Sequence, residues 1–116
     1  MRERQVGEVL VLSFDSASPH ETEELEQVHQ MVHGALSRGH VRLVVDLDNV
    51  EDMKALTLGV LKSAAERCHE RGGHLVVCRA RPRSLDIFKM TRLDMLFTIR
   101  DSEEDAIAYL AKLGRS

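Results

Sequence analysis

The stretch Val41-Arg-Leu-Val-Val-Asp-Leu47 is the strongest strand signal in this sequence. Its near-continuous run of β-branched and aliphatic side chains is typical of a strand that is covered on both faces. Strands of this kind occur in the interior of parallel sheets, where helices alternate with strands along the chain. We therefore predict an α/β fold in which residues 41–47 form the central strand of a mainly parallel sheet of four to five strands.

Strand and helix signals alternate before this segment. Residues 9–14 are predicted to form a strand, with residues 5–6 supplying a partner strand. Ser18 has the character of a helix N-cap and Pro19 that of a first helical position. The helix that follows carries apolar residues at a spacing of about 3.6 and is expected to end at residues 38–39, an arginine followed by a glycine.

The same alternation continues after the central strand. Gly72 and Gly73 end the longest helical pattern. The predicted elements are a helix over residues 54–71, a strand over 74–78, a helix over 85–90 capped by Ser84, a strand over 95–99 and a terminal helix capped by Ser102. Residues 1–116 thus read as one domain with about four helices and right-handed crossovers.

Composition narrows the classes of function. The net charge is −3, aromatic residues make up only 3% of the chain and tryptophan is absent, which argues against nucleic-acid binding. Cys68 and Cys78 lie in apolar surroundings and are expected to be buried free thiols. No apolar run approaches the ~20 residues that span a bilayer, and the charged first residues do not resemble a signal peptide. A cytoplasmic location without membrane insertion is expected.

From Val41 onward the sequence resembles a STAS domain, the fold of bacterial anti-sigma factor antagonists and of modules attached to anion transporters. Leu58-Gly-Val-Leu61 matches the family's L-G-V-L, and Thr91-Arg-Leu-Asp-Met-Leu-Phe97 is similar to its T-G-L-D-x-L-F. Three further segments resemble the family in the same order: Val44-Val-Asp-Leu-Asp-Asn-Val50, Arg71-Gly-Gly-His-Leu-Val-Val77 and Ile99-Arg-Asp-Ser-Glu-Glu-Asp-Ala106. No single segment is decisive, but five in the correct order point to a STAS-like domain.

The sequence departs from the family where its members are usually phosphorylated. They carry D-S-S/T-G directly before L-G-V-L, and a partner kinase phosphorylates the second Ser or Thr. Counting back from Leu58, Lys54 replaces the Asp, Ala55 the first Ser, Leu56 the phosphoacceptor and Thr57 the Gly. Leu56 has no hydroxyl, so the resemblance implies a degenerate site on a surface that stays apolar and cationic. Thr57 is left open as a displaced acceptor, although a hydroxyl in the helix interior is the interpretation we favour.

The resemblance implies a non-enzymatic module for regulatory protein–protein interaction, of the anti-sigma factor antagonist type and without a cofactor. The expected partner is an anti-sigma factor kinase or another STAS protein, and a homodimer is left open. The alternative function is a cytoplasmic STAS accessory subunit of a membrane transporter, and a third is binding of a small ligand or nucleotide at the same helix N-terminus. The predicted contact residues are Met53, Lys54, Ala55, Leu56, Thr57 and Gly59, unless Leu56 packs inward against Val60 and the sheet.

Other clusters suggest chemistry less strongly. His29 and His33 have the i, i+4 spacing of a metal pair but lack a third ligand at a suitable distance in the sequence, so no metal site is predicted. The acidic set Asp46, Asp48, Glu51 and Asp52 lacks the partner residues of a phosphorylated receiver domain or of carboxylate catalysis, and is interpreted as a solvated turn. Arg79, Arg81 and Arg83 are interpreted as a solvated basic loop, and no catalytic residue is predicted.

Overall fold

Strands and helices alternate along the chain in the computed structural model, which describes residues 1–113. Two short 3₁₀ helices, Pro19–Glu21 and Leu93–Met95, lie in the connections. The main elements are β1 (Arg2–Val6), β2 (Val9–Ser13), α1 (Glu24–Ser37), β3 (Arg42–Asp46), α2 (Ala55–Glu70), β4 (His74–Cys78), α3 (Pro82–Met90), β5 (Thr98–Arg100) and α4 (Glu103–Leu113).

The five strands form one sheet in the order β1-β2-β3-β4-β5. β1 is antiparallel to β2, and every other neighbouring pair is parallel. β3 is central, with Val44 paired to Val11 on one side and to Val76 on the other. The predicted α/β class, the parallel sheet and its central strand are therefore confirmed.

Helices cover both faces of the sheet, which explains the continuous apolar run of the central strand. Leu43 and Val45 point into the larger core, with α1, α2 and α3. Val44 points to the opposite face, where Ala106 and Leu110 of α4 complete a smaller core. Each strand of the parallel core therefore needs apolar residues at successive positions, and the 2-residue alternation of a half-exposed strand is absent.

The first helix begins later than predicted. Pro19 opens only a 3₁₀ turn, and α1 starts at Glu24. Ser18 is the N-cap residue of that 3₁₀ turn and not of α1, and its hydroxyl makes no capping bond, because it donates to Asp52 Oδ2 at 2.7 Å. The expected end is confirmed: Arg38 is the C-cap and Gly39 has a left-handed φ of 84°.

Two later predictions also need correction. Ser84 does not cap a helix, because α3 begins two residues earlier at Pro82 and buries Ser84 in its first turn. The last strand covers 98–100 and not 95–99, because residues 93–95 form a 3₁₀ turn. The first strand is longer than the predicted residues 5–6, because residues 2–6 pair with the whole of β2. The remaining element boundaries agree within about a residue, and Ser102 caps α4 as predicted by accepting the Asp105 N–H at 3.0 Å.

The two cysteines are free and buried, as predicted. Cys68 belongs to the larger core and Cys78 to the smaller one. Burial raises the thiol pKa of Cys68 to about 11 and that of Cys78 to about 12. Both side chains therefore act as small apolar groups and not as thiolates.

Candidate functional site

The start of α2 exposes four of the six predicted contact residues. The loop before it is tied down by two backbone hydrogen bonds, from the amides of Glu51 and Asp52 to the carbonyl of Ala17. This anchoring sets the entry of the chain into α2. The exposed contact residues are Lys54, Ala55, Leu56 and Gly59, and the buried ones are Met53 and Thr57.

Leu56 is the most distinctive residue of this surface. Its side chain is 68% exposed although it stands in the first turn of a well-packed helix. Helix geometry explains the exposure, because Thr57 takes the face that continues through Leu61 toward the sheet. Packing of Leu56 against Val60 and the sheet, the alternative from the sequence, is therefore wrong.

Thr57 is completely buried and cannot meet a kinase in the folded protein. Its relative exposure is 0%, and its Oγ1 has no hydrogen-bond partner among the described residues. Phosphoryl transfer requires the hydroxyl to reach the phosphate of a bound nucleotide, which this burial prevents. The hydroxyl is thus an uncompensated polar atom in the larger core.

Cationic and not acidic side chains mark the surface around the start of α2. The first turn of the helix contains no acidic residue, and Lys54 precedes it as the N-cap without a side-chain capping bond. Asp52 accepts the hydrogen bond from Ser18, which is the main cause of its lowered pKa, and the nearby charge of Lys54 lowers it further. The exposed residues Lys54, Ala55 and Leu56 are thus cationic or apolar.

The four acidic residues after β3 do not form one cluster. Asp46 is buried under Arg79, and the exposed Asp48 lies 3.7 Å from the same guanidinium, while Asp52 contacts Ser18 and Glu51 is exposed. Carboxylate catalysis requires two carboxyl groups that face a shared substrate position. The arrangement therefore serves the local structure of the turn, although Asp46 is not the solvated residue expected from sequence.

A polar network missed by the sequence analysis lies at the carboxyl end of β3. Arg79 donates to Asp46 Oδ2 through Nη2 at 2.6 Å and lies 3.7 Å from Glu103 Oε2. Arg4 on β1 binds Glu103 Oε1 at 2.6 Å, so the network connects β1, β3, β4 and α4. Burial raises the pKa of Asp46, but hydrogen bonds from Glu103 and Arg79 outweigh it and hold the pKa below its usual value.

This network explains the polar cavity of about 660 Å³ beside it, which is lined by Arg4, Asp46, Arg79 and Glu103 among others. These charged groups already pair with one another. Arg79 adopts a left-handed φ of 54° to make its contacts, and Arg81 donates to the carbonyl of Asp48 at 3.0 Å. Both arginines are exposed, as the solvated-loop interpretation expected, but each also makes specific hydrogen bonds to the end of β3 or the turn after it. The contact between Arg79 and Asp46 could have been predicted from the strand order, because Arg79 directly follows Cys78, the residue paired with Asp46.

The histidine pair on α1 faces a cation. Arg67 of α2 lies 3.5 Å from Nδ1 of His29 and 3.0 Å from Nδ1 of His33. A guanidinium in this position competes with any metal ion for the same ring nitrogens. Within residues 1–113, no group of three or more metal-ligating side chains is assembled.

The fold is that of a small α/β domain, and its candidate binding surface is the exposed start of α2. A sequence profile of the STAS domain matches residues 3–106, and the chain belongs to the STAS domain family. Its relative BtrV of Bordetella bronchiseptica is named as a candidate anti-sigma factor antagonist. The two are 25% identical over 83 residues, which are 72% of each chain.

No helix within residues 1–113 combines the length and the apolar character needed to cross a membrane.

Solved structures share the fold at low sequence identity. A substituted form of RsbS from Moorella thermoacetica matches with a TM-score of 0.84 and 15% identity, covering 99% of this chain and 97% of that one. A chain of the stressosome, described as a signal integration and transduction hub, matches with a TM-score of 0.80 and 16% identity. That match covers 99% of this chain and 100% of the other. At these identities the two likenesses establish the fold alone.

Proposed function

We propose that this chain is a non-enzymatic regulatory module of the anti-sigma factor antagonist type, which binds a partner protein through the start of α2. The observation that carries the proposal is that Leu56 is 68% exposed. It lies two residues after Lys54, in the first turn of α2. A leucine that is 68% exposed buries little of its apolar surface within the chain itself. Apolar residues at the centre of a contact are the usual anchors of protein interfaces.

The proposed module has no phosphorylation switch at this surface. In the usual family member a phosphate adds negative charge to the contact and disrupts it by repulsion and desolvation. Leu56 has no hydroxyl to accept a phosphate, and the hydroxyl of Thr57 is buried. The contact therefore stays apolar and cationic, and binding is constitutive unless the partner is regulated.

An anti-sigma factor kinase is the partner that best suits this proposal, and the encounter would take place in the cytoplasm. The relative BtrV is named as an antagonist of an anti-sigma factor. The fold also occurs in a chain of the stressosome, which makes another STAS protein the second candidate partner. In both cases the chain contributes a binding surface and no chemistry, in keeping with the paired state of its carboxylates.

The proposal is tested by Leu56→Glu, with Val6→Glu as the matched control. Both changes place a carboxylate on an exposed apolar residue, but Val6 lies on the edge strand β1. Affinity for the anti-sigma factor kinase encoded in the same genome is measured by calorimetry, together with the melting temperature. Leu56→Glu should weaken binding by about 2 kcal/mol or more, the scale of a lost anchor, and leave melting unchanged.

Val6→Glu should leave the affinity unchanged, since its position is remote from the proposed contact. A folded Leu56→Glu protein with undiminished affinity would refute the assignment of the surface. A fall in melting temperature would mean that Leu56 supports the fold, but its exposed position in the first turn favours a carboxylate there through the helix dipole.

A further inference from the structure

A groove runs beside the proposed contact, between α2 and the segment that follows α3. It has a volume of about 460 Å³, and its apolar part is formed by Leu58 from α2 and by Leu93 and Leu96 from the opposite wall. We call it the α2–α3 groove. Gly59 also lines it and belongs to the predicted contact residues, so the groove continues the surface around Leu56.

Two residues of this groove are unusual choices for their backbone positions. Arg92 has φ 61° and ψ 20°, the left-handed conformation in which α3 ends and the next 3₁₀ turn begins, and its N–H donates to the carbonyl of Lys89. Glycine would adopt this conformation without the cost that a Cβ brings. The Arg92 side chain makes no hydrogen bond or ion pair with any residue of the described range 1–113. Gly59 lies within α2, where glycine weakens a helix, yet a Cβ added there would meet nothing within 4 Å. The backbone of Arg92 serves the end of α3, but contacts inside the domain explain neither its arginine side chain nor the glycine at position 59.

The charges at the groove favour an acidic occupant. Lys62 and Arg92 line it, and among the described residues neither has a carboxylate within 4 Å. Lys54 stands at the start of the same helix, near enough to Asp52 to lower the pKa of that carboxyl. One acidic residue, Glu66, also lines the groove. This local excess of cations contrasts with the chain's net charge of −3. Carboxylates of an acidic partner would form ion pairs with the two cations that line the groove, Lys62 and Arg92.

Exposed apolar residues are close in sequence to the residues that line the groove. Among the described residues, Leu56, Met90 and Met95 are three of the four large apolar side chains that are exposed, and each stands within two residues of a groove-lining residue. Both methionines are 82% exposed. Methionine adapts its shape to a partner, which suits a binding surface.

We propose that the α2–α3 groove binds an acidic amphipathic helix of the partner protein, and that Arg92 determines its preference for acidic sequences. Apolar residues on one face of such a helix would enter the groove over Leu58, Leu93 and Leu96, in the helix-in-groove mode of recognition. Glutamates flanking that face would meet Lys62 and Arg92, and the missing side chain of Gly59 lets the helix approach the backbone of α2. This inference rests on the proposed function, because groove and contact form one surface.

The test uses a 16-residue helical peptide with leucines at i, i+3, i+4 and i+7 and glutamates beside them. A second peptide replaces every glutamate by lysine. Binding to the ¹⁵N-labelled chain is followed through amide chemical shifts. The acidic peptide should shift the amides of residues 58–66 and 91–96 and bind at least tenfold more tightly than the basic peptide.

Variants separate recognition from folding. Arg92→Gly and Gly59→Ala should each raise the melting temperature by a few degrees, because each removes a backbone cost, and each should weaken the acidic peptide at least fivefold. Arg92→Lys should retain most of the binding, since it keeps the charge, while Arg83→Gln on the exposed start of α3 is the control for loss of one positive charge. If a variant is more stable but binds the acidic peptide less well, the substituted residue acts in recognition, because loss of a structural role would lower the stability.

The groove proposal is overturned by equal binding of the two peptides, by shifts outside the groove, by no binding, or by unchanged affinity in Arg92→Gly. These outcomes leave the proposed function standing if Leu56→Glu still abolishes binding of the kinase. If Leu56→Glu has no effect on the kinase, the proposed function fails whatever the peptides show.

Discussion

Arg79 reaches back from the end of β4 to the buried carboxylate of Asp46 at the end of β3. Its Nη2 lies 2.6 Å from Oδ2, and its Nε lies 3.0 Å from the same oxygen. Asp46 is only 2% exposed, and its Oδ1 also accepts the backbone N–H of Asp48 at 2.9 Å. The pair therefore closes the turn between β3 and α2, the segment that positions the proposed contact surface.

This pair predicts a specific dependence of stability on pH. The folded pKa of Asp46 lies below its ordinary value, so the ionised carboxylate stabilises the fold. That contribution is fully present above the unfolded pKa, about 3.9, and is lost as the pH falls toward the folded pKa. Arg79→Met removes the main cationic partner, and should cost about 2 kcal/mol at pH 7, in the range for charged hydrogen bonds.

The measurement is urea unfolding at pH 7, 4 and 3. Arg79→Met should lose less further stability below pH 4 than the wild type, because its buried Asp46 is no longer held ionised. Methionine has the same Cβ as arginine, so the left-handed backbone at this position is equally strained in both proteins. Parallel loss of stability in the two proteins would contradict the assignment. Glu103 has a raised pKa, mainly through its hydrogen bond with Asp46, and its contribution runs the opposite way, falling as the pH rises through that pKa.

Thr57→Val should stabilise the protein. The hydroxyl of Thr57 is buried without a hydrogen-bond partner in the described structure, and valine has nearly the same shape without the polar atom. The expected gain is about 1 kcal/mol in the free energy of unfolding. Thr57→Ser keeps the hydroxyl and removes the methyl group, so it should lose about 1 kcal/mol. Chemical denaturation of the three proteins checks this order, and a destabilised valine variant would show that the hydroxyl has a partner.

Gly73→Ala should be far more damaging than Gly72→Ala. A Cβ on Gly73 would overlap the carbonyl oxygen of Val41, where the backbone cannot move without disturbing the start of β3. The expected loss is about 3 kcal/mol, at the upper end for overpacking. Gly72 has a left-handed φ of 77° but open space around it, so alanine there should cost only about 1–2 kcal/mol. Thermal unfolding distinguishes the two, and equal losses would show that β3 gives way.

Leu56→Ser should create a phosphorylation site where the wild type has none. The side chain at this position is exposed in the first turn of α2, where the helix dipole favours a phosphate. Incubated with the anti-sigma factor kinase and ATP, the serine variant should gain one phosphate, detected by mass spectrometry. Wild type and Leu56→Ala should gain none. A phosphate on Thr57 of the wild type would instead restore a switch displaced by one residue.

Where hydrophobic periodicity is strong, the structure follows the sequence. The run over residues 41–47 predicted a central strand, since only a strand covered on both faces needs apolar residues at successive positions. Helix boundaries were less predictable where a capping side chain had a choice of partners. Ser18 has the residue type of an N-cap, but its hydroxyl pairs with Asp52, which is distant in sequence and close in space.

The sequence by itself determined the alternation of strands and helices, the aliphatic core and the absence of a hydroxyl at position 56, because these depend on residue type and local spacing. Only the tertiary structure decided which of two adjacent residues in the first turn of α2 faces water: Thr57 is buried and Leu56 is exposed. It also made Arg79 the partner of Asp46 and brought Arg92 to the same groove as Gly59. Burial and ion pairing depend on contacts between segments that are distant in sequence, and the packing of the helices on the sheet determines those contacts.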